Sequence, residues 1–185
     1  MTGMVDWAGR MKQMMDFVGL EQVELELVRA TAPLVLKHAE FLTGAVYEHF
    51  LNFAEARKFF VTEEGEPDQE RLARRKHSLA RWLAQTLEAN VEEGFPVQLL
   101  MMGLVHSHPP SHRAHLGSIP SRLMIGTISF AQTALAQLLG QEIADAEEAA
   151  RASVAWNKLL MVQLDVLLAG YVTETPSQPQ PMTAQ

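Results

Sequence analysis

Residues 99–106 read Leu-Leu-Met-Met-Gly-Leu-Val-His, and this stretch decides how the rest of the chain is interpreted. It is an apolar helical run that ends on one histidine, His106, and Pro109 and Pro110 stop the helix just beyond it. A neutral imidazole held on an apolar helical wall is suited to bind a metal, including the iron of a haem. A polar residue near a helix end is the plainer interpretation, so His106 needs support from elsewhere in the chain.

That support comes from several short motifs that follow one another in a characteristic order. The segment Met102 to His106, of the form aliphatic-Gly-x-x-His, resembles the proximal motif of the sensor globins, the group that includes globin-coupled sensors and protoglobins. The other motifs that resemble this family are Val46-Tyr47, Ala80-Arg81-Trp82, His115-Leu116-Gly117, and Ala155-Trp156-Asn157-Lys158 with Asp165 and Tyr171. The similarity covers residues 20–171, most of the chain. In two places the chain departs from the family: the loop after His106 is slightly shorter and carries three additional histidines, and Ser78 replaces an expected glutamine.

The resemblance implies an all-α, globin-like fold with an additional N-terminal helix and long last two helices. It implies haem b as the cofactor and His106 as the ligand of its iron. The other residues that it implies for the haem pocket are Tyr47, His77, Trp82, Leu99, Leu100, Leu104 and Leu123. Aligning Trp82 with the family places His77 near the bound gas, whereas a slip of one residue presents Ser78 instead. His77 also fits a solvent-facing place in the basic run that precedes it, and Tyr47 also fits a structural place in the core.

The resemblance further implies a gas sensor that reversibly binds a diatomic ligand, with O2 as the first candidate and CO or NO as others. We expect no enzymatic activity, and we expect signalling through a separate protein because 185 residues leave no room for an output domain. The last two helices carry more apolar residues than one buried stripe needs, which predicts a homodimer formed through them. Two alternatives remain: a haem-free interaction module whose pocket is filled by some of the ten methionines, and a haem peroxidase or nitric-oxide dioxygenase.

Composition limits the other function classes. With 48% hydrophobic and 20% charged residues, the chain is typical of one globular domain. A formal charge of −7 argues against nucleic-acid binding, which requires a basic face. The absence of cysteine excludes disulfides and a thiolate ligand, and fits a cytoplasmic location. Charges at Asp6, Arg10, Lys12 and Asp16 interrupt the first apolar residues, so we predict neither an export signal nor a membrane span.

The order of apolar and turn-forming residues divides the chain into three parts. Residues 1–19 form an N-terminal helix over residues 5–18, residues 20–172 form the haem domain, and residues 173–185 are a disordered, proline-rich tail. Within the domain we predict helices over residues 20–29, 33–53, 68–87, 96–106, 120–138 and 143–172. Pro33 begins the second of these and Gly140 follows the end of the fifth.

Two further clusters have alternative interpretations. The basic residues Arg71, Arg74, Arg75 and Lys76 form either a solvated helix face or an anion site, for which haem propionates are suitable anions. The histidines His106, His108, His112 and His115 could instead hold zinc or copper, although no acidic residue lies among them. A hydrolase has no support, because the chain lacks a Gly-x-Ser-x-Gly turn.

Overall fold

The structure is a computed structural model that describes residues 5–87 and 94–172, so the predicted tail over residues 173–185 lies outside the described residues. The helices are α1 (Trp7–Val18), α2 (Gln22–Lys37), α3 (Ala39–Asn52), α4 (Ala54–Arg57), α5 (Gln69–Leu87), α6 (Gly94–Ser107), a 3-10 helix (Ser111–Leu116), α7 (Ser121–Glu142) and α8 (Ala146–Val172). Among the described residues the extended pairing is limited to one isolated bridge between Val61 and Pro67. The all-α prediction is therefore confirmed.

The last helix, α8, forms the centre of the fold. It packs against α1, α2, α6 and α7, and its apolar residues are buried through most of its length. The indole of Trp156 is fully enclosed, and its Nε1 donates a hydrogen bond of 3.0 Å to Oγ1 of Thr31 on α2. Burying a large aromatic ring with its N–H satisfied stabilises the core and fixes α2 on α8.

The N-terminal helix α1 packs on the domain's own core through Met11 and Met15, both buried. Asp6 caps its first turn by accepting a hydrogen bond of 2.8 Å from the Gly9 amide. The helix ends at Gly19, whose φ of 63° places it in the left-handed region that favours glycine. The helix predicted over residues 5–18 is therefore present and contacts α8.

Two predicted helix boundaries are wrong. Pro33 lies inside α2, which continues to Lys37, instead of beginning the next helix. Proline has no backbone N–H, so one carbonyl of the preceding turn loses its hydrogen-bond partner. Pro33 is exposed, and this carbonyl therefore lies on the solvent side of the helix. Likewise α7 continues through Gly140 to Glu142, because glycine costs a helix only about 1 kcal/mol.

A second, smaller apolar cluster lies between α3 and α5. Its buried members are Tyr47, Phe59, Phe60 and Leu72, with Leu79 of α5 and Leu123 of α7 packed against them. Tyr47 packs edge-on against Phe60, with ring centroids 5.4 Å apart. We call this group the Tyr47 cluster; it holds α5 against α3.

Two of the described helices, α7 and α8, are long and apolar enough to cross a membrane if length and composition alone are considered. For α8 the protein core accounts for this apolar character, since four other helices cover it. A smaller share of α7 is buried, and Ile125 is one of its exposed apolar residues. This leaves part of the apolar surface of α7 uncovered in the single chain.

Candidate functional site

Helix α6 carries His106 and lies directly on α8. Gly103 makes this close approach possible, because a Cβ atom at this position would overlap the carbonyl oxygen of Leu167. One turn further along, Oγ of Ser107 donates a hydrogen bond of 2.8 Å to the carbonyl of Gly170. The position of His106 is therefore set by the backbone of α8.

His106 lies in the last turn of α6, and the loop that follows returns to it. The amide of Ile119 donates a hydrogen bond of 2.9 Å to the His106 carbonyl, after a 3-10 helix and Gly117 have turned the chain. Pro109 and Pro110 stop α6 as predicted. The backbone of His106 is thus held on both sides.

The imidazole of His106 is neutral at physiological pH. Burial and, to a smaller extent, the positive charge of Arg75 lower its pKa to about 4, whereas the Met102 carbonyl acts in the opposite direction. The His106 ring and the Met102 carbonyl do not meet the geometry of a hydrogen bond. Nδ1 of His106 is therefore buried without a partner among the described residues. A neutral imidazole is the form of histidine that binds a metal.

A pocket of about 500 Å³ lies between α5 and α6 and includes His106 in its lining. Small-molecule and cofactor pockets commonly measure about 300–1,000 Å³ and are mostly apolar with a few polar groups. The residues of this lining on which the argument depends are Arg75, Ser78 and Trp82 of α5, and Leu99, Met102 and His106 of α6. The apolar wall, the neutral imidazole and its buried, unpaired Nδ1 fit a haem whose iron is held by His106.

The structure brings three of the predicted site residues together, since Trp82, Leu99 and His106 line this one pocket. In contrast to expectation, Leu100 and Leu104 lie on the α8 side of α6. Backbone atoms of both approach Gly170, where a Cβ atom would lie 2.8 Å from the Leu100 carbonyl oxygen and 2.6 Å from the Leu104 amide. Residues three and four apart share one helix face, so these two leucines follow Gly103 toward α8.

Tyr47 and Leu123 meet in the Tyr47 cluster instead of in the lining of the pocket. Burial raises the pKa of the Tyr47 phenol to about 12, with the charge of Arg75 acting in the opposite direction. The phenol therefore stays protonated and can donate a hydrogen bond. The charge of Arg75 therefore acts on both Tyr47 and His106.

On α5 the pocket-facing residue is Ser78 and not His77. Both side chains are exposed, but Ser78 lines the pocket and donates a hydrogen bond of 3.0 Å to the Arg74 carbonyl, whereas His77 is not part of the lining. Helical periodicity explains this register, because Arg75, Ser78 and Trp82 recur at intervals of three and four residues.

Sequence reasoning named Arg75 only as one member of a basic cluster that could bind an anion, and it missed Arg113. Arg75 lines the pocket, and the charges of both arginines act on His106. Nε of Arg113 is buried without a partner in the described part of the chain. Counting seven residues back from Trp82 would have singled out Arg75 from the basic run, but no sequence signal marks Arg113.

The remaining histidines whose side chains are described do not form a metal site. His108 and His115 are exposed, and nothing is described for the side chain of His112. Across residues 5–87 and 94–172, no group of three or more His, Cys, Asp or Glu side chains is placed to hold a metal ion. The zinc or copper alternative therefore has no support there.

Comparisons with known proteins identify the fold. A family model described as Protoglobin matches residues 8–177. The globin domain of a Geobacter sulfurreducens globin-coupled sensor superimposes with a TM-score of 0.68 at 16% identity, covering 87% of this chain and 97% of that one. The ferric globin domain of E. coli DosC gives a TM-score of 0.64 at 17% identity, covering 84% of this chain and 97% of that one. A search of curated proteins gave no match.

Proposed function

The chain belongs to the protoglobin family, and on this premise we propose that it is a haem-binding gas sensor that reversibly binds a diatomic ligand, with oxygen as the first candidate. One observation carries the proposal: a neutral imidazole, His106, lines a pocket between α5 and α6 that also has apolar side chains in its wall. Haem b, when bound, supplies an iron that takes and releases a diatomic gas. CO and NO are the other candidate ligands.

The pocket residues have distinct roles in this proposal. His106 binds the iron, and Trp82, Leu99 and Met102 exclude water from the porphyrin. Arg113 balances the charge of a haem carboxylate, since its Nε is buried without a partner in the part of the chain that is described.

Tyr47 packs in the Tyr47 cluster and not in the pocket lining, but it is our candidate for controlling how long the gas stays bound, a role that requires its hydroxyl to turn toward the ligand. The pKa of its phenol is about 12, so the hydroxyl stays protonated and remains a hydrogen-bond donor over the whole physiological pH range. A donor within about 3 Å of a ligand slows the escape of that ligand, and a dry surrounding strengthens the bond. We do not assign a hydrogen bond to the bound gas to His77, because its side chain is exposed.

For the output we propose a separate signalling protein and a homodimer formed through α7 and α8, in the cytoplasm. Ile125 on α7 and Val154 and Met161 on α8 are exposed apolar residues, which support an interface at this surface. The proposed role is ligand binding and signalling, not catalysis.

The alternative of a haem-free interaction module is less well supported. It requires side chains to fill the space between α5 and α6, whereas that pocket measures about 500 Å³. No specific observation favours the haem peroxidase or nitric-oxide dioxygenase.

The test is haem binding by the full chain produced with adequate haem supply. We expect a Soret band that shifts reversibly on addition of CO or O2 to the reduced protein. His106→Ala should abolish normal haem retention, whereas His115→Ala, which changes an exposed histidine of the 3-10 helix that follows α6, should leave the ferrous spectrum unchanged. A colourless wild-type protein would support the haem-free module, and loss of the spectrum in His115→Ala alone would refute the assignment of His106.

A further inference from the structure

Arg75 lies on α5 between the Tyr47 cluster and the pocket. Leu72 and Leu79, one turn away on either side, pack in the Tyr47 cluster, while Arg75 itself lines the pocket together with His106. Residues three and four apart share one face of a helix, so Arg75 is directed inward with its two leucine neighbours. It is partly buried, unlike the exposed Arg74 and Lys76 beside it.

No carboxylate neutralises Arg75 within the described residues. In the same run Arg71 pairs with Asp68 at 3.1 Å and Arg74 pairs with Glu70, but no acidic side chain lies within salt-bridge distance of Arg75. Arginine keeps its charge in proteins, so Arg75 is a partly buried cation without an anionic partner. A buried charge of this kind is costly until an anion pairs with it.

The surroundings of Arg75 add to this need for an anion. Burial and the nearby charge of Arg113 both lower the pKa of Arg75. Arg113 also leaves its buried Nε without a partner in the described ranges. Two like charges therefore act on the imidazole of His106, and Arg75 is the one that lines the pocket itself.

We propose that Arg75 makes this pocket bind small inorganic anions at the open coordination position of the haem iron, in addition to neutral gases. The inference rests on the proposed haem-binding function. The guanidinium donates charge-assisted hydrogen bonds, which are roughly twice as strong as neutral ones and discriminate an anion from a neutral ligand of similar size. We commit to a free anion and not to a haem carboxylate, because Arg75 lines the pocket together with His106, whereas Arg113 is not part of that lining.

The experiment compares anionic and neutral ligands on the haem-loaded full chain. Azide and fluoride are titrated into the ferric protein, and CO into the ferrous protein, with the absorption spectrum as the readout. Arg75→Gln should weaken azide and fluoride binding about ten- to hundred-fold, because a hydrogen bond to a charged group is lost. Arg75→Lys should retain part of the affinity, and CO affinity should change less than about three-fold in both, because CO carries no charge.

Lys76→Gln is the matched control, since it removes one positive charge from an exposed neighbour on the same helix. It should leave the affinities for azide and fluoride unchanged. Equal loss in Lys76→Gln and Arg75→Gln, or wild-type anion affinity in Arg75→Gln, would overturn the proposal.

Haem content, measured in every variant, separates the remaining outcomes. If Arg75→Gln loses haem readily but binds azide as the wild type does, the anion is a carboxylate of the haem, and the proposal of a free-anion site fails while haem binding stands. If the wild type itself lacks a Soret band, the proposed function fails and this inference fails with it. If Arg75→Gln does not fold, Arg75→Lys serves as the test. An Arg75→Lys protein that has the spectra of the wild type and also binds fluoride as tightly as the wild type would overturn the proposal.

Discussion

Gly103 of α6 and Gly170 of α8 lie against each other where the two helices cross, with no side chain between them. A Cβ atom at Gly170 would be 2.8 Å from the Gly103 carbonyl carbon, and one at Gly103 would be 3.3 Å from the Gly170 Cα. Because Gly103 stands three residues before His106, this crossing sets where the imidazole lies relative to the pocket. The glycine of the Gly-x-x-His motif therefore has a steric role.

Replacing Gly103 with alanine should destabilise the protein. The new methyl group would meet the backbone of Leu167, which cannot move aside as a flexible side chain can. We expect a loss of about 1–3 kcal/mol in the free energy of unfolding, measured by urea denaturation, together with weaker haem retention. Gly44→Ala is the control: a Cβ atom there meets nothing within 4 Å, so this change should be neutral or stabilise α3 by about 0.5–1 kcal/mol. Equal stability of the two variants would contradict the crossing as described.

The two tyrosines should resist ionisation in the folded protein. Burial raises the pKa of both Tyr47 and Tyr171 to about 12. In the unfolded chain a tyrosine has a pKa of about 10, so the stability due to the buried, neutral phenols is complete below that pH and is lost as pH rises from about 10 to 12. A spectrophotometric titration should show no phenolate step near pH 10 in the folded protein and the full step in guanidinium. A folded-state step near pH 10 with half the full amplitude would show that one tyrosine is solvated.

Tyr47 and His77 should behave differently when each is replaced. Tyr47→Phe removes the neutral donor with little change in ring packing, so oxygen should dissociate faster, by roughly ten-fold if one hydrogen bond is lost. His77→Ala changes an exposed side chain, and the ferric and ferrous spectra should match the wild type. Stopped-flow dissociation and absorption spectra give both readouts. A changed ferric spectrum in His77→Ala would mean that His77 reaches the iron, and an unchanged dissociation rate in Tyr47→Phe would remove Tyr47 from the ligand site.

Association should depend on the exposed apolar residues of the last two helices. Val154→Glu and Met161→Glu place charges on α8 where both side chains are exposed in the single chain. If these residues meet a second copy, each charge would lose water on association, and the dimer should weaken by at least about ten-fold. Val23→Glu on α2 is the control, because it also adds a charge at an exposed apolar position. Light scattering at micromolar concentration that shows a monomer for the haem-loaded wild type would contradict the dimer.

The local pattern of the chain was enough to predict the fold, and it made His106 the candidate iron ligand. Apolar periodicity indicated the helices, and the run that ends in His106 singled out one histidine among the seven. The spacing of several motifs indicated the sensor globin family, which the match over residues 8–177 confirms. These features depend on neighbours within a turn or two, so the sequence contains them directly.

The faces of α5 and α6 were decided by tertiary packing. A helical period shows which residues share a face but not which partner that face meets. The crossing at Gly103 directs Leu100 and Leu104 toward α8, and the packing of Leu72 in the Tyr47 cluster turns Arg75 inward and leaves His77 in solvent. These orientations result from contacts between residues far apart in the chain, and for that reason only the three-dimensional structure places Arg75 beside His106.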